Sequence, residues 1–129
     1  KNPTFISLFL GRFSIFTKIH YFKKYLYKNQ NRHKDYLKDE ISSSYLSGCF
    51  LIVPSWAYLK LNGFDIKFFL HLEDADFVRR CSMIGKTAHV PVGYVTHGWA
   101  RGSHSSIMQM INVIKSYIYY CYKWGLKIY

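Results

Sequence analysis

Beyond residue 44 the chain is cut into short pieces by its prolines and glycines, and this limits the fold to short elements. Pro54, Gly63, Gly85, Pro91, Gly93 and Gly98 divide it, and before residue 106 the longest stretch between these breaks is 64–84. Between these breaks the residues sort by type. "YLSGCFLIVP" at 45–54 is a short apolar run ended by Pro54, the pattern expected of a buried strand. "SWAYLKLNGF" at 55–64 reads as a short helix, with Ser55 placed to cap its start and Gly63 to stop it. "DADFVRRCSMIG" at 74–85 predicts a second helix, with Phe77, Cys81 and Ile84 on one face and Gly85 at the end. "TAHVPVGYVTH" at 87–97 predicts two extended pieces, and "GWARGSHSS" at 98–106 a Gly/Ser loop.

The two ends differ from this middle. Residues 4–27 mix apolar and basic side chains, with Phe5, Leu8, Phe9, Phe13, Phe16 and Ile19 near helical spacing and Gly11 interrupting them. Residues 28–40 are polar and charged and read as an exposed loop. Ser106–Tyr122 predicts an amphipathic helix. Its apolar stripe is Ile107, Ile111, Ile114, Ile118 and Cys121, with Asn112, Lys115, Ser116, Tyr119 and Lys123 opposite. The expected organisation is a basic lead-in over 1–44, a central unit over 45–105 and the terminal helix over 106–129.

Charge and cysteine usage narrow the function classes. The formal charge is +11, and the first forty residues hold nine Lys or Arg against three acids, which points to an anionic partner. Hydrophobic residues make up 50% of the chain, enough for a packed core, so disorder is not expected as a global description. Cys49, Cys81 and Cys121 are far apart and form no CxxC pair. Neither a zinc site nor a disulfide framework is expected, and buried free thiols in a reducing compartment are. No secretory leader is visible, and the chain starts at Lys1, which leads to the expectation of a partial chain. Ile107–Tyr122 is short of a comfortable membrane span and is interrupted by Gln109, Asn112 and Lys115.

Against this basic background, three of the seven acids, Glu73, Asp74 and Asp76, fall within four positions in "FLHLEDADFVRR". They either complement the positive end of a helix or concentrate carboxylates for chemistry. Asp76 is three and four residues from Arg79 and Arg80 and is expected to pair with one of them. Gly48, after Ser47, permits close approach of a ligand to the backbone, or simply helps the strand to pack. Phe64 and Asp65 after Gly63 shape a pocket, or Asp65 caps a turn. On the loop, Arg101 offers a fork suited to phosphate oxygens and Trp99 a ring that can stack or close a lid, with Ser103 beside them. A surface loop with one buried aromatic explains the same residues.

The order "SGCFLIVP", "LNGFD", "FFLHLEDADFVRRCSMIGKTAHVP", "THGWARGSH" and a helix ending "KWG" resembles the C-terminal half of bacterial family 2 glycosyltransferases, rhamnosyltransferase-like enzymes of surface-polysaccharide assembly above all. The resemblance runs from about Ser47 to the end, with a weaker echo in "NPTFISLFLGR". It implies an α/β fold of the GT-A type, of which this chain holds the C-terminal portion, with mixed short strands and flanking helices. It also implies an inverting transfer of sugar from a nucleotide-diphosphate donor to a polysaccharide or lipid-linked acceptor.

By the same resemblance Asp74 is the base that takes the acceptor's proton, and Glu73 positions the acceptor or holds the base. Ser47, Gly48, Asp76, Trp99, Arg101 and Ser103 are substrate-side residues. His97 is the ligand of a divalent metal, Mn²⁺ or Mg²⁺, that neutralises the leaving diphosphate; a lone structural histidine is the other reading. The family's Asp-x-Asp metal motif has no counterpart upstream, so the metal needs residues that this chain does not supply. Relatives read Gly-Gly-Phe-Asp-Glu where Asn62-Gly63-Phe64-Asp65-Ile66 stands here, and often carry Arg where Pro54-Ser55 stands. The expected location is cytoplasmic, at the inner face of the plasma membrane. The terminal helix, rich in Tyr with Lys123, Trp124 and Lys127, fits either a membrane interface or packing on the domain or a partner chain. The alternative function is a non-catalytic basic module on anionic membrane or nucleic acid, with nucleic acid not favoured.

Overall fold

The structure, a computed structural model, describes residues 4, 20–29, 34–98 and 107–126. In chain order the elements are α1 (His20–Asn29), β1 (Ile41–Ser42), α2 (Ser55–Lys60), α3 (Glu73–Ile84), β2 (Ala88–His89) and α4 (Ile107–Trp124). Thr4 is buried, and its hydroxyl shares a 2.9 Å hydrogen bond with that of Tyr25 on α1. The helical spacing read over 4–27 falls mostly outside the described residues.

β1 and β2 form a two-stranded antiparallel sheet in which Ile41 faces His89 and Ser42 faces Ala88. Thr87 extends the pairing, donating its hydroxyl to the Ser43 carbonyl at 2.6 Å and accepting the Ser43 N–H at 3.1 Å. His89 Nε2 lies 2.8 Å from the Tyr36 carbonyl, and the two rings meet edge-on. Residues 36–43, read from sequence as part of a separate lead-in, are therefore stitched to the central unit.

The predicted buried strand over 45–54 does not form. Residues 51–54 have no regular hydrogen-bonded structure, Phe50 and Ile52 are exposed, and among the described residues no backbone hydrogen bond joins 50–53 to another segment. The run lies extended, with Leu51 and Val53 turned into a groove of about 470 Å³ that Phe77, Val78, Cys81 and Ile84 line from α3. Cys49, expected to be buried, is exposed, while Cys81 and Cys121 are half-buried and all three are free thiols.

α2 and α3 match the sequence closely. Pro54, with φ −60°, is the N-cap of α2, so Ser55 is its first helical residue and not the expected cap. Gly63 ends the turn at φ +64°, where a side chain would also collide with the Tyr58 ring at 2.7 Å. On α3, Phe77 is almost wholly buried against Tyr58 and Phe64, with ring centroids 5.7 and 4.6 Å away. Burial of such a ring contributes about 1.5–3 kcal/mol.

The fold is closed by α4, and here the sequence expectation is reversed. The stripe Ile107, Ile111, Ile114 and Ile118 is exposed, and the face read as polar packs inward, with Ser116 and Tyr120 buried. Tyr120 joins Phe68, Leu72 and Ala75 in the core, with Tyr117, Tyr119 and Trp124 packed around them. The inward face wins because its aromatics carry donors as well as area, and two acidic residues await them. Trp124 Nε1 donates to Asp76 at 2.8 Å, Tyr119 donates to Asp65 at 2.9 Å, and Lys123 Nζ reaches both carboxylates at 2.7 and 2.8 Å.

Asp76 itself has no exposed surface. Arg80 Nε donates to it at 2.8 Å and spends its other nitrogens on the carbonyls of Leu61 and Gly63, at 2.7 and 2.8 Å. The end of α2, the start of α3 and the end of α4 thus meet at one carboxylate. Asp76→Ala leaves Arg80 and Lys123 without it, and unfolding in urea is expected to show a loss of about 3–5 kcal/mol; a loss under about 1 kcal/mol would contradict the network. Burial alone would raise the Asp65 pKa, but hydrogen bonds from Lys123, the Lys67 N–H and Tyr119 outweigh it and lower the pKa from 3.8 to about 2. A carboxyl group depressed by folding adds stability above its unfolded value, and that stability is lost as the pH falls through its folded value. Melting temperature is therefore expected to drop between pH 3.8 and about 2, and to drop less steeply in Asp65→Asn.

Candidate functional site

The acidic motif enters α3 through a strained turn. His71 and Leu72 both adopt left-handed backbone, with φ of 65° and 67°, although neither is glycine. Each such residue costs of order 1–3 kcal/mol, and the conformation is held because Leu72 is locked into the core beside Phe68 and Tyr120. The turn delivers Glu73 and Asp74 side by side at the first turn of α3, where helix N–H groups are free to meet carboxylates.

Asp74 faces the segment that begins at Ser47. The Gly48 N–H donates to Asp74 Oδ2 at 2.8 Å, and the Ala75 N–H donates to Oδ1 at 2.7 Å. Glycine at 48 is what allows the approach, because a Cβ there would stand 3.1 Å from Asp74 Cβ and 3.4 Å from Oδ2. Ser47 Oγ lies 3.1 Å from Cys49 Sγ, which closes the tight bend around Gly48. Each carboxylate oxygen of Asp74 keeps a lone pair for a further donor.

Two neighbours complete the cluster. Glu73 Oε2 is buried and accepts no hydrogen bond, a condition that ordinarily costs about 1–3 kcal/mol. Tyr45 is pushed up to about 12, by burial first and then by the charges of Asp74 and Glu73, so its hydroxyl stays protonated across the physiological range. Sequence reasoning missed Tyr45. It is one of twelve tyrosines, and only the bend at Ser47–Gly48 turns this one toward the acids.

The structure brings Ser47, Gly48, Glu73 and Asp74 together. Asp76 pairs with Arg80, as the spacing suggested, but it is fully enclosed and offers no atom to a substrate. His97 is exposed at the end of the extended run after β2, and among the described residues it takes part in no hydrogen bond or ion pair. Trp99, Arg101 and Ser103 lie outside the described residues. Among the described residues no three His, Cys, Asp or Glu side chains gather so as to hold a metal ion. His97 supplies one donor, so a divalent ion there would need ligands from beyond the described residues. Phe64 and Asp65 line a cavity of about 440 Å³ together with Gly63, Arg80 and Lys123.

Comparison with family models, with curated proteins and with solved structures finds no match to this chain. The contact between Gly48 and Asp74 is the most direct feature to probe. Gly48→Ala is expected to lower stability by about 1 kcal/mol through the weakened charge-assisted bond. The same change in an Asp74→Ala background is expected to do almost nothing, and equal effects in both backgrounds, measured by urea unfolding, would mean that the two residues are not coupled.

Proposed function

We propose that the chain carries the acceptor-side part of an inverting glycosyltransferase of the family 2 type, with Asp74 as the base. The observation that carries this reading is the bond between Gly48 and Asp74, which sets a carboxylate of fixed orientation beside a buried, unpaired oxygen of Glu73. A structural role in the helix dipole would need neither the glycine nor the strained turn. The bend at Ser47–Gly48 and the motif at 73–74 are also two of the pieces on which the resemblance rests.

In this reading the acceptor hydroxyl donates to Asp74, and Glu73, with one oxygen buried beside it, holds the base in place. As the acceptor oxygen bonds to the anomeric carbon, its proton passes to Asp74. The bond from that carbon to the diphosphate breaks on the opposite face, and its electron pair leaves with the nucleoside diphosphate. The acceptor is a saccharide, free or lipid-linked.

Transfer is measured from a panel of nucleoside-diphosphate sugars to saccharide acceptors, using the longest natural chain that contains these residues. Asp74→Asn is expected to lower turnover by about 10²–10⁴ while the melting temperature is kept. Turnover at the unmodified rate in that variant would remove Asp74 from the chemistry.

A further inference from the structure

Helix α4 is built the wrong way round for a surface helix. Its polar residues are spent inward, where Tyr119, Lys123 and Trp124 bind Asp65 and Asp76, and Ser116 is buried. The arc facing away from the core presents Ile107, Met108, Ile111, Ile114, Ile118 and Tyr122, with Tyr122 85% exposed. Eighteen residues make a helix about 27 Å long, so this apolar stripe crosses much of the molecule. Contiguous exposed apolar surface of this kind marks a docking site.

Charge identifies the occupant. Lys115 is exposed at the edge of the arc. On one flank Lys67, also exposed, stands over the Tyr119 ring at 5.6 Å. An apolar stripe bordered by exposed lysines, on a chain of net charge +11, matches the acyl and headgroup layers of an anionic bilayer. A second copy would bring its own charge of +11 to the same face. No described helix is long and apolar enough to cross a membrane, so the helix would lie in the interface plane.

We propose that the outward face of α4 docks the protein on an anionic lipid surface, with Ile111, Ile114 and Ile118 immersed and Lys67 and Lys115 at headgroup level. This holds whether or not Asp74 is a base, and the test leaves Asp74 untouched.

The test is co-sedimentation with phosphatidylcholine vesicles, with and without phosphatidylglycerol. The variant Ile111→Gln/Ile118→Gln keeps the net charge and alters only exposed positions, and its fold is checked by circular dichroism and melting temperature. Wild type is expected to bind the phosphatidylglycerol vesicles and to be released by salt. The double variant is expected to bind at least about tenfold more weakly, the effect of withdrawing two isoleucines from the acyl layer. Equal binding by wild type and variant would mean that charge alone holds the protein, and would overturn the proposal. Equal binding to vesicles lacking phosphatidylglycerol would overturn the anionic requirement. A vesicle-free dimer that the double variant dissociates, seen by sedimentation equilibrium, would assign the face to a second copy instead.

Discussion

The Asp76 carboxylate is sealed from solvent, and Arg80, Lys123 and Trp124 converge on it. A buried charge of this kind is tolerated only when its partners are in place. That requirement explains the arrangement around it. Arg80 must stay within reach, so its remaining nitrogens hold the carbonyls at the end of α2. Lys123 and Trp124 must also stay, so the last turns of α4 lie across α3 with their aromatic and cationic side inward. Burial alone would lower the Lys123 pKa, but its two carboxylate partners, Asp65 and Asp76, raise it. Lys123 therefore stays cationic at ordinary pH.

The candidate site borrows its rigidity from this centre. Asp74 and Asp76 are two residues apart at the start of one helix, one half-open beside Gly48 and the other enclosed. Fixing Asp76 fixes the helix axis, and Leu72 in the core fixes the turn that leads into it. The strain at His71 and Leu72 then holds Glu73 and Asp74 against the bend at Gly48. An apparently redundant acidic motif is divided into an anchor and a half-buried pair.

Much of this was legible in the residues, for identifiable reasons. α2 and α3 could be placed because Pro54, Gly63 and Gly85 bound them through local backbone chemistry. The pairing of Asp76 with Arg80 follows from helical spacing alone. The existence of α4 was legible too, but its orientation was not. Periodicity shows that a helix has two faces, and here both carry apolar groups, so the choice rests on Asp65 and Asp76, far away in sequence. The run at 45–54 failed for a related reason. A continuous apolar stretch becomes a buried strand only beside other strands, and among the described residues none lies next to it. Tyr45 gave no local signal, and neither did the ties from 36–43 to 86–89, because both arise only when distant segments meet.

The extended run at 50–53 carries a consequence of its own. Among the described residues its backbone makes no hydrogen bond to another segment, and Ile52, 81% exposed, stands at the mouth of an apolar groove. Open edges of this kind template chain-to-chain stacking. The high positive charge is what keeps neighbouring molecules apart, by long-range repulsion. Added electrolyte shortens the reach of that repulsion to about 8–10 Å near physiological strength, so salt weakens the guard against precipitation.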